Sequence, residues 1–148
     1  MAQWSTVGAT ELGAASILLG GIVAEVAAGA TAVQRRAFFR AVGVRLAGTH
    51  PIGDPEDVAS LTIAINRIWE EHDCGTVRFE VAEDCLLITH TGFGRKLAPI
   101  LAGATEQVLR PLLEGAYDAW LHMAGSGADI CTRTLWWNDT EARLKHGR

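Results

Sequence analysis

Apolar residues recur along the first half of the chain at the spacing of α-helices. Residues 1–34 form an Ala- and Gly-rich segment with helical spacing and only two charges, Glu11 and Glu25. An amphipathic helix is predicted to follow, with Thr31 as its cap and Gly48 at its end. Arginines occupy the rest of this helix, and its apolar side comprises Val33, Ala37, Phe38, Ala41, Val42, Val44 and Leu46.

The segment at 1–34 is a weak helix on its own. Gly20, Gly21 and Gly29 each cost about 1 kcal/mol relative to alanine in a helix interior. Its uncharged run, residues 12–24, is shorter than the roughly 20 residues that span a bilayer. We therefore predict no transmembrane segment, and an N-terminal segment that needs a partner surface to stay helical.

The third predicted helix carries strong start signals. Asp54 is predicted as its N-cap and Pro55 as its first helical residue, where proline loses no intrahelical hydrogen bond. Glu56 and Asp57 complement the positive end of the helix dipole. Gly75 is predicted to end the element, and its apolar positions are Val58, Leu61, Ile65, Ile68 and Trp69.

The hydrophobic period then changes from 3.6 to 2, which predicts β-strands. "TVRFEV" and "CLLITHTGF" are predicted to form a β-hairpin. A long connection at 92–109 is predicted to lead to Pro111, in the first turn of a helix that runs to about Ala124. A further strand, "DICTRTLWW", places Trp136 on one face and Trp137 on the other. Apolar residues on both faces are typical of a strand that is covered on both sides, here by the domain core and by a neighbouring subunit.

These elements predict an α+β fold. N-terminal helices precede an antiparallel sheet, a hairpin plus a C-terminal strand, which packs against a long helix. At 148 residues the chain has the size of one domain. We divide it into an apolar assembly segment at 1–34, a single α+β domain at 35–137, and a polar, loosely ordered tail at 138–148.

Composition points to self-association and argues against several functions. Hydrophobic residues make up 49% and charged residues 20% of the chain, and the mean hydropathy is +0.15. This apolar excess indicates surface that is buried against other copies. The net charge of -4 argues against nucleic-acid binding, which needs a clustered basic face. The first basic residue is Arg35, so the N-terminus lacks the basic region of a secretory signal, and we expect a cytoplasmic protein.

Residues typical of active sites and metal sites are present, but not in the spacing that such sites need. "EEHDC" at 70–74 has the residue types of metal ligands, yet consecutive residues at a helix end splay apart. Cys74, Cys85 and Cys131 lack metal-ligand spacing and are predicted to be reduced and buried. "GSG" around Ser126 lacks the nucleophile-elbow pattern. We therefore predict no metal, no cofactor and no enzymatic activity.

Aromatic residues are the remaining candidates for function. Large aromatic side chains serve as core residues, as interface anchors, or as platforms for sugar rings. Trp4 lies outside the periodic helix pattern, where it either lines a shared channel or is disordered. The candidates for core or assembly contacts are Trp69, Tyr117, Trp120, Trp136 and Trp137.

An ordered set of motifs gives the chain a family resemblance over about residues 35–137. The motifs are "RRAFFRAVGVRLA", "WEEHDCGTVRFEV", "CLLITHTG", "LRPLLEGAYDAWLHMAGSG" and "ICTRT". In this order and spacing they resemble the family of protein D of bacterial cellulose synthase operons. The most specific pieces are Gly75, Thr76 and Val77 at the first strand, and a later set that comprises Pro111, Leu112, Leu113, Glu114, Gly115, Tyr117, Trp120, Ala124 and Gly125.

The resemblance implies a non-enzymatic accessory protein of cellulose biosynthesis. It implies intertwined dimers assembled as a tetramer of dimers, an octameric scaffold that organises synthase complexes and the packing of glucan chains into fibrils. The implied partners are other copies of the chain and other components of the inner-membrane synthase complex. Glucan chains are a further candidate partner, with Trp4 as their candidate contact. The missing export signal favours a cytoplasmic scaffold over a periplasmic one.

A second class of function stays open alongside the scaffold. A small-ligand or haem-type sensor domain has the same helix-plus-antiparallel-sheet outline. A lone histidine with an empty apolar pocket behind it would favour that function. His90 on a predicted strand and His122 on a predicted helix have the placement to meet, although ordinary surface or hydrogen-bonded histidines are the favoured interpretation.

Overall fold

The computed structural model describes residues 2–101 and 103–148, with side chains from residue 13 onward. In chain order the elements are α1 (Ala2–Gly29), α2 (Ala32–Thr49), α3 (Val58–Glu71), β1 (Thr76–Val81), β2 (Cys85–Thr91), α4 (Ala98–Leu101), α5 (Thr105–Met123), β3 (Cys131–Trp137) and β4 (Glu141–Gly147). The predicted α+β class is confirmed. Among the described residues, no helix combines the length and the apolar character that crossing a bilayer requires.

Reciprocal side-chain caps determine where α2 and α3 begin. The Thr31 hydroxyl accepts from the Gln34 N–H at 3.2 Å, and the Gln34 amide oxygen accepts from the Thr31 N–H at 2.9 Å. The predicted cap of α2 is therefore confirmed. The predicted cap of α3 is wrong: Asp57, not Asp54, is the N-cap, because Asp57 forms the same reciprocal pair with Ser60.

The helix α5 is longer than the sequence predicts. It begins at Thr105, so Pro111 lies inside it, and the predicted connection at 92–109 contains both α4 and the first turn of α5. Proline supplies no N–H to the carbonyl one turn earlier. The helix continues nonetheless because it is packed on both sides, and tertiary packing rather than local propensity supplies most helix stability in proteins.

The sheet is antiparallel, with strand order β1-β2-β4-β3. Its second central strand, β4, comes from the region predicted as a loosely ordered tail at 138–148, so that prediction is wrong. Ala142, Leu144 and His146 point inward and are buried, while the intervening residues are charged and point outward. Buried and charged residues alternate along β4, which is typical of a strand with one solvated face. The high charge of the segment made it resemble a polar tail in the sequence.

A bulge in β3 changes which tryptophan faces the core. Thr134 pairs with Leu144 but Trp136 pairs with Arg143, so Leu135 is the extra residue. Trp137 therefore lies on the inner face, half-buried against Phe93 with ring centroids 4.7 Å apart. Trp136 lies on the outer face and is 45% exposed. The outer face is exposed in the single chain, so its predicted cover by a neighbouring subunit stays a prediction.

Two glycines let α2 and α5 cross in direct backbone contact. A Cβ on Gly43 would lie 1.9 Å from the carbonyl oxygen of Leu112, and one on Gly115 would lie 2.1 Å from that of Arg40. Helix separation is set by the side chains at the contact, and here there are none. The crossing positions α5 between α2 on one side and the sheet on the other.

Most of the apolar side predicted for α2 is outside this chain's core. The residues of α2 that the fold buries are Phe39, Gly43 and Ala47. Large apolar residues of the same helix are exposed, among them Val33, Phe38, Val42 and Val44. The side of α2 that carries Gly43 can approach α5 more closely, so this side packs against α5. The side with the bulkier apolar residues is left exposed.

Candidate functional site

A buried series of hydrogen bonds joins three aromatic rings in the core. The Trp69 indole N–H donates to the Tyr117 hydroxyl at 3.1 Å. Nε2 of His90 donates to the Cys74 carbonyl at 2.7 Å, so the other nitrogen of the neutral ring, Nδ1, accepts from Tyr117 at 2.7 Å. Every polar side-chain atom of these three rings has a partner. The series therefore holds the sheet, through β2, against α3 and α5.

Burial decides the ionisation of this cluster. His90 is fully buried, and loss of hydration lowers its pKa from 6.5 to about 4, against a smaller opposing effect of its hydrogen bond to Cys74. Burial raises the pKa of Tyr117 well above its usual value, and the Trp69 hydrogen bond offsets this only in part. The imidazole and the phenol are both neutral at physiological pH.

We expect the chain to lose stability as the pH falls, because of His90. Its folded pKa is below its unfolded one, so the unfolded chain binds the proton first, and stability present above pH 6.5 is lost on the way to pH 4. Between pH 7 and pH 5 this group accounts for about 2 kcal/mol. Urea denaturation across this range measures it, and His90→Gln should flatten the slope. The matched control is the exposed His72→Gln, and an equal change of slope in both variants contradicts the assignment.

Among the described residues, Trp120 is the largest fully buried side chain. Its indole N–H donates to the carbonyl of His50 at 2.9 Å, just beyond the end of α2. Its ring meets Trp69 edge to face, with centroids 5.4 Å apart. The structure thus places Trp69, Tyr117 and Trp120 inside the chain, as core residues rather than as a surface for a partner.

Two carboxylates of α5 connect α2 to β3. Glu114, almost fully buried, accepts from Arg36 Nη2 at 2.7 Å and from both the N–H and the hydroxyl of Thr134, at 2.9 and 2.8 Å. One turn later Asp118 repeats the arrangement, with Arg40 Nη2 at 2.8 Å and the N–H of β3 residue 132 at 2.8 Å. These ion pairs were not predicted from the sequence. The sequence does carry a signal for them, since Glu114 and Asp118 are four residues apart on one helix and Arg36 and Arg40 are four residues apart on another.

A serine, a histidine and an aspartate lie close together, as in a hydrolytic triad, but without the geometry of one. They are Ser126, His146 and Asp118. Nε2 of His146 lies 2.9 Å from the Ser126 hydroxyl. Its Nδ1 lies 2.8 Å from the Thr132 hydroxyl, whereas the Asp118 carboxylate is 3.8 Å away. A triad needs the carboxylate to accept from Nδ1 and orient the ring. Burial also lowers the pKa of His146, although Asp118 opposes this. The cluster ties the loop after α5 to β3 and β4.

The other polar candidates are separated in space. His90 contacts Tyr117, whereas His122 contacts His146 with ring centroids 5.6 Å apart, so the two predicted histidines do not meet. All three cysteines are free, as predicted, but their predicted burial is wrong, because Cys131 is exposed and Cys74 and Cys85 are half-buried. Within the described residues, no group of three or more histidines, cysteines and carboxylates converges on a metal position.

Large apolar residues are exposed on both N-terminal helices. On α1, Ile17 is 78% exposed and Leu18 and Ile22 are more than half exposed, around a shallow cavity of about 410 Å³. On α2, Val33 and Phe38 are exposed. We call these residues the α1–α2 apolar surface. The Trp4 side chain lies outside the described residues.

On the outer face of the sheet, Trp136 is the exposed aromatic residue of β3. Its ring stacks under the Arg143 guanidinium at 5.0 Å. Of the five aromatic candidates it alone presents a large part of its surface to solvent, since Trp137 is half-buried.

Comparison with known proteins adds one finding. A family model that describes the D subunit of cellulose synthase matches residues 13–147 of the 148-residue chain. A search of curated proteins finds no match.

Proposed function

Because the chain belongs to the family of the cellulose synthase D subunit, and so has a role in cellulose biosynthesis, we propose that it is a non-catalytic scaffold that self-associates. The observation that carries the proposal is the α1–α2 apolar surface. Large apolar residues that are exposed together, as Ile17, Leu18 and Ile22 are around one shallow cavity, mark a surface that binds another protein. The polar clusters of the core are consistent with this function, since their hydrogen bonds are made within the fold.

The glycines of α1 support a partner for this helix. An added Cβ at Gly21 would meet nothing within 4 Å, so no close approach inside the chain explains the residue. A glycine in a helix interior costs about 1 kcal/mol relative to alanine, and α1 touches the rest of the chain mainly through α4. Packing against a second copy would bury the exposed apolar residues of α1. It would also explain the glycine at position 21, where a helix face without a side chain allows close approach.

The resemblance of the motifs to the family extends the proposal. The assembly is an intertwined dimer, and four dimers form an octamer. It acts at the cytoplasmic side of the inner-membrane synthase complex, whose other components are its partners. There it organises the synthases and hence the packing of glucan chains, with Trp4 as the candidate contact for a glucan chain.

Self-association is tested by a charge in the apolar surface. Wild-type chain at micromolar concentration is expected to be oligomeric in size-exclusion chromatography with light scattering. Ile17→Glu should shift it to smaller species, because a carboxylate cannot be buried there without a partner charge.

Ile63→Glu is the matched control, since Ile63 is 63% exposed and belongs to α3, not to the α1–α2 apolar surface. It should leave the oligomer intact. The proposal is contradicted if the wild-type chain is monomeric at this concentration. It is also contradicted if the Ile17→Glu variant forms an oligomer of the same mass as wild type. In cells, Ile17→Glu is also expected to lower cellulose output while Ile63→Glu does not.

The geometry does not favour the alternative, a haem-type sensor. An axial histidine needs one unprotonated nitrogen for the iron. In His90 that nitrogen, Nδ1, accepts from Tyr117 at 2.7 Å, and Nε2 is bonded to the Cys74 carbonyl. The ring is packed against Trp69 and Phe93 rather than beside an empty pocket.

A further inference from the structure

Three arginines surround a cavity where the start of α2 meets the first turns of α5. The cavity has a volume of about 300 Å³ and is separate from the α1–α2 apolar surface. Its lining includes Arg35 and Arg36 from α2 and Arg110 from α5, together with Glu106 and the first residue of α2, Ala32.

Each guanidinium is anchored through one terminal nitrogen. Arg35 Nη1 donates to the carbonyls of Ala27 and Ala30 at 3.0 and 3.2 Å, at the end of α1. Arg36 uses Nη2 on Glu114, and Arg110 uses Nη1 on Glu106 at 3.2 Å. A guanidinium carries five N–H donors in a rigid fork. The three arginines are thus held in place with most of their donors available to a ligand.

One of these donors is shielded from solvent. Nε of Arg110 is buried and has no hydrogen-bond partner among the described residues, the one such side-chain atom found there. A buried N–H without an acceptor is unfavourable, and native structures contain few of them. The Arg110 side chain as a whole is 39% exposed, so a shift of this side chain towards the cavity would let an oxygen atom of a ligand accept from Nε.

The charge of the cavity points to the class of ligand. Three guanidinium groups face two carboxylates, Glu106 in the lining and Glu114 beneath Arg36, which leaves one net positive charge on a chain whose total is -4. Ala32 opens α2, so the positive end of an 18-residue helix adds to this potential. Planar oxyanions match guanidinium donors in pairs.

We propose that the cavity lined by Arg35, Arg36 and Arg110 binds a carboxylate or phosphate group. The carboxylate of an acidic protein segment and a free phosphate share this chemistry, and the experiment separates them. The site is independent of the scaffold function and of the surface proposed for self-association.

Isothermal titration of the full chain in an anion-poor buffer tests the site, with inorganic phosphate in one arm and hexaglutamate in the other. At least one of the two is expected to bind saturably, one per chain, in the millimolar range or tighter. Binding of phosphate but not of hexaglutamate identifies the ligand as a free small anion. Tighter binding of hexaglutamate than of phosphate identifies it as a carboxylate of a protein segment. Absence of saturable binding in both arms overturns the proposal.

Matched variants assign the binding to the cavity. Arg110→Gln should weaken the binding at least about tenfold. Arg110→Lys keeps the charge but loses the forked guanidinium, so its affinity should lie between those of wild type and Arg110→Gln. Glu106→Gln removes a competing carboxylate and should tighten binding. Arg133→Gln, on the exposed outer side of β3, is the control. Equal affinity for wild type, Arg110→Gln and Glu106→Gln contradicts the site, and melting curves of each variant separate lost binding from lost folding.

Discussion

Gly43→Ala is expected to destabilise the chain by more than about 3 kcal/mol, beyond the usual cost of an extra methyl group in a packed core. The new Cβ would lie 1.9 Å from the carbonyl oxygen of Leu112 and 2.8 Å from the N–H nitrogen of Ala116. Both obstacles are backbone atoms, so no side chain can rotate away and the two helices must separate. Separation would also stretch the Arg36–Glu114 and Arg40–Asp118 ion pairs that cross the same interface.

The control for this prediction lies in the same helix. Gly48 has nothing within 4 Å of an added Cβ, and its backbone is not in the left-handed region. Helix propensity alone favours alanine at both positions by up to about 1 kcal/mol. Urea denaturation should therefore show Gly48→Ala unchanged or slightly stabilised and Gly43→Ala strongly destabilised. The same sign for both variants would rule out the close crossing of α2 and α5.

Trp120→Ala is expected to cost about 3 to 5 kcal/mol of unfolding free energy. The side chain is 0% exposed, so truncation leaves a cavity, and the His50 carbonyl loses its indole donor. The contact with Trp69 is lost as well. Trp136→Ala, at an exposed tryptophan, is the control and should cost at most about 1 kcal/mol, the worth of its stacking with Arg143.

Both tryptophan variants are compared by chemical denaturation and by light scattering. A stable, folded Trp120→Ala chain with a wild-type denaturation midpoint contradicts the burial of this residue. Loss of oligomer without loss of folding would instead place Trp120 at an interface.

Local patterns were enough to locate most elements but not their partners. The capping of α2 by Thr31 and the alternation in β1 and β2 depend on neighbours in sequence, and they were predicted correctly. The start of α5 was not, because Pro111 is tolerated there only through contacts with α2 and the sheet. The exposure of Phe38 was missed for a similar reason: periodicity shows that a helix is two-sided, whereas Gly43 decides which side meets α5.

The candidate site shows the same division. Tyr117 and Trp69 were singled out from their positions on helical stripes, and the structure puts them in one cluster. The hydrogen bond between Tyr117 and His90 was not predicted, because sequence analysis considered His90 only as a partner of His122. The ion pair of the buried Glu114 was missed because Arg36 lies 78 residues before it and no local spacing connects them. Long-range ion pairs become visible in a sequence only after the helix crossing is known.

The position of β4 affects how the chain is made. Synthesis proceeds from the N-terminus, so β2 and β3 emerge before the strand that lies between them. Until residues 141–147 leave the ribosome, β2 has one unpaired edge and β3 has two, and their backbone groups can pair with another chain. Closure of the sheet therefore waits for β4, and until then the edges of β2 and β3 that β4 will fill can pair with another nascent copy.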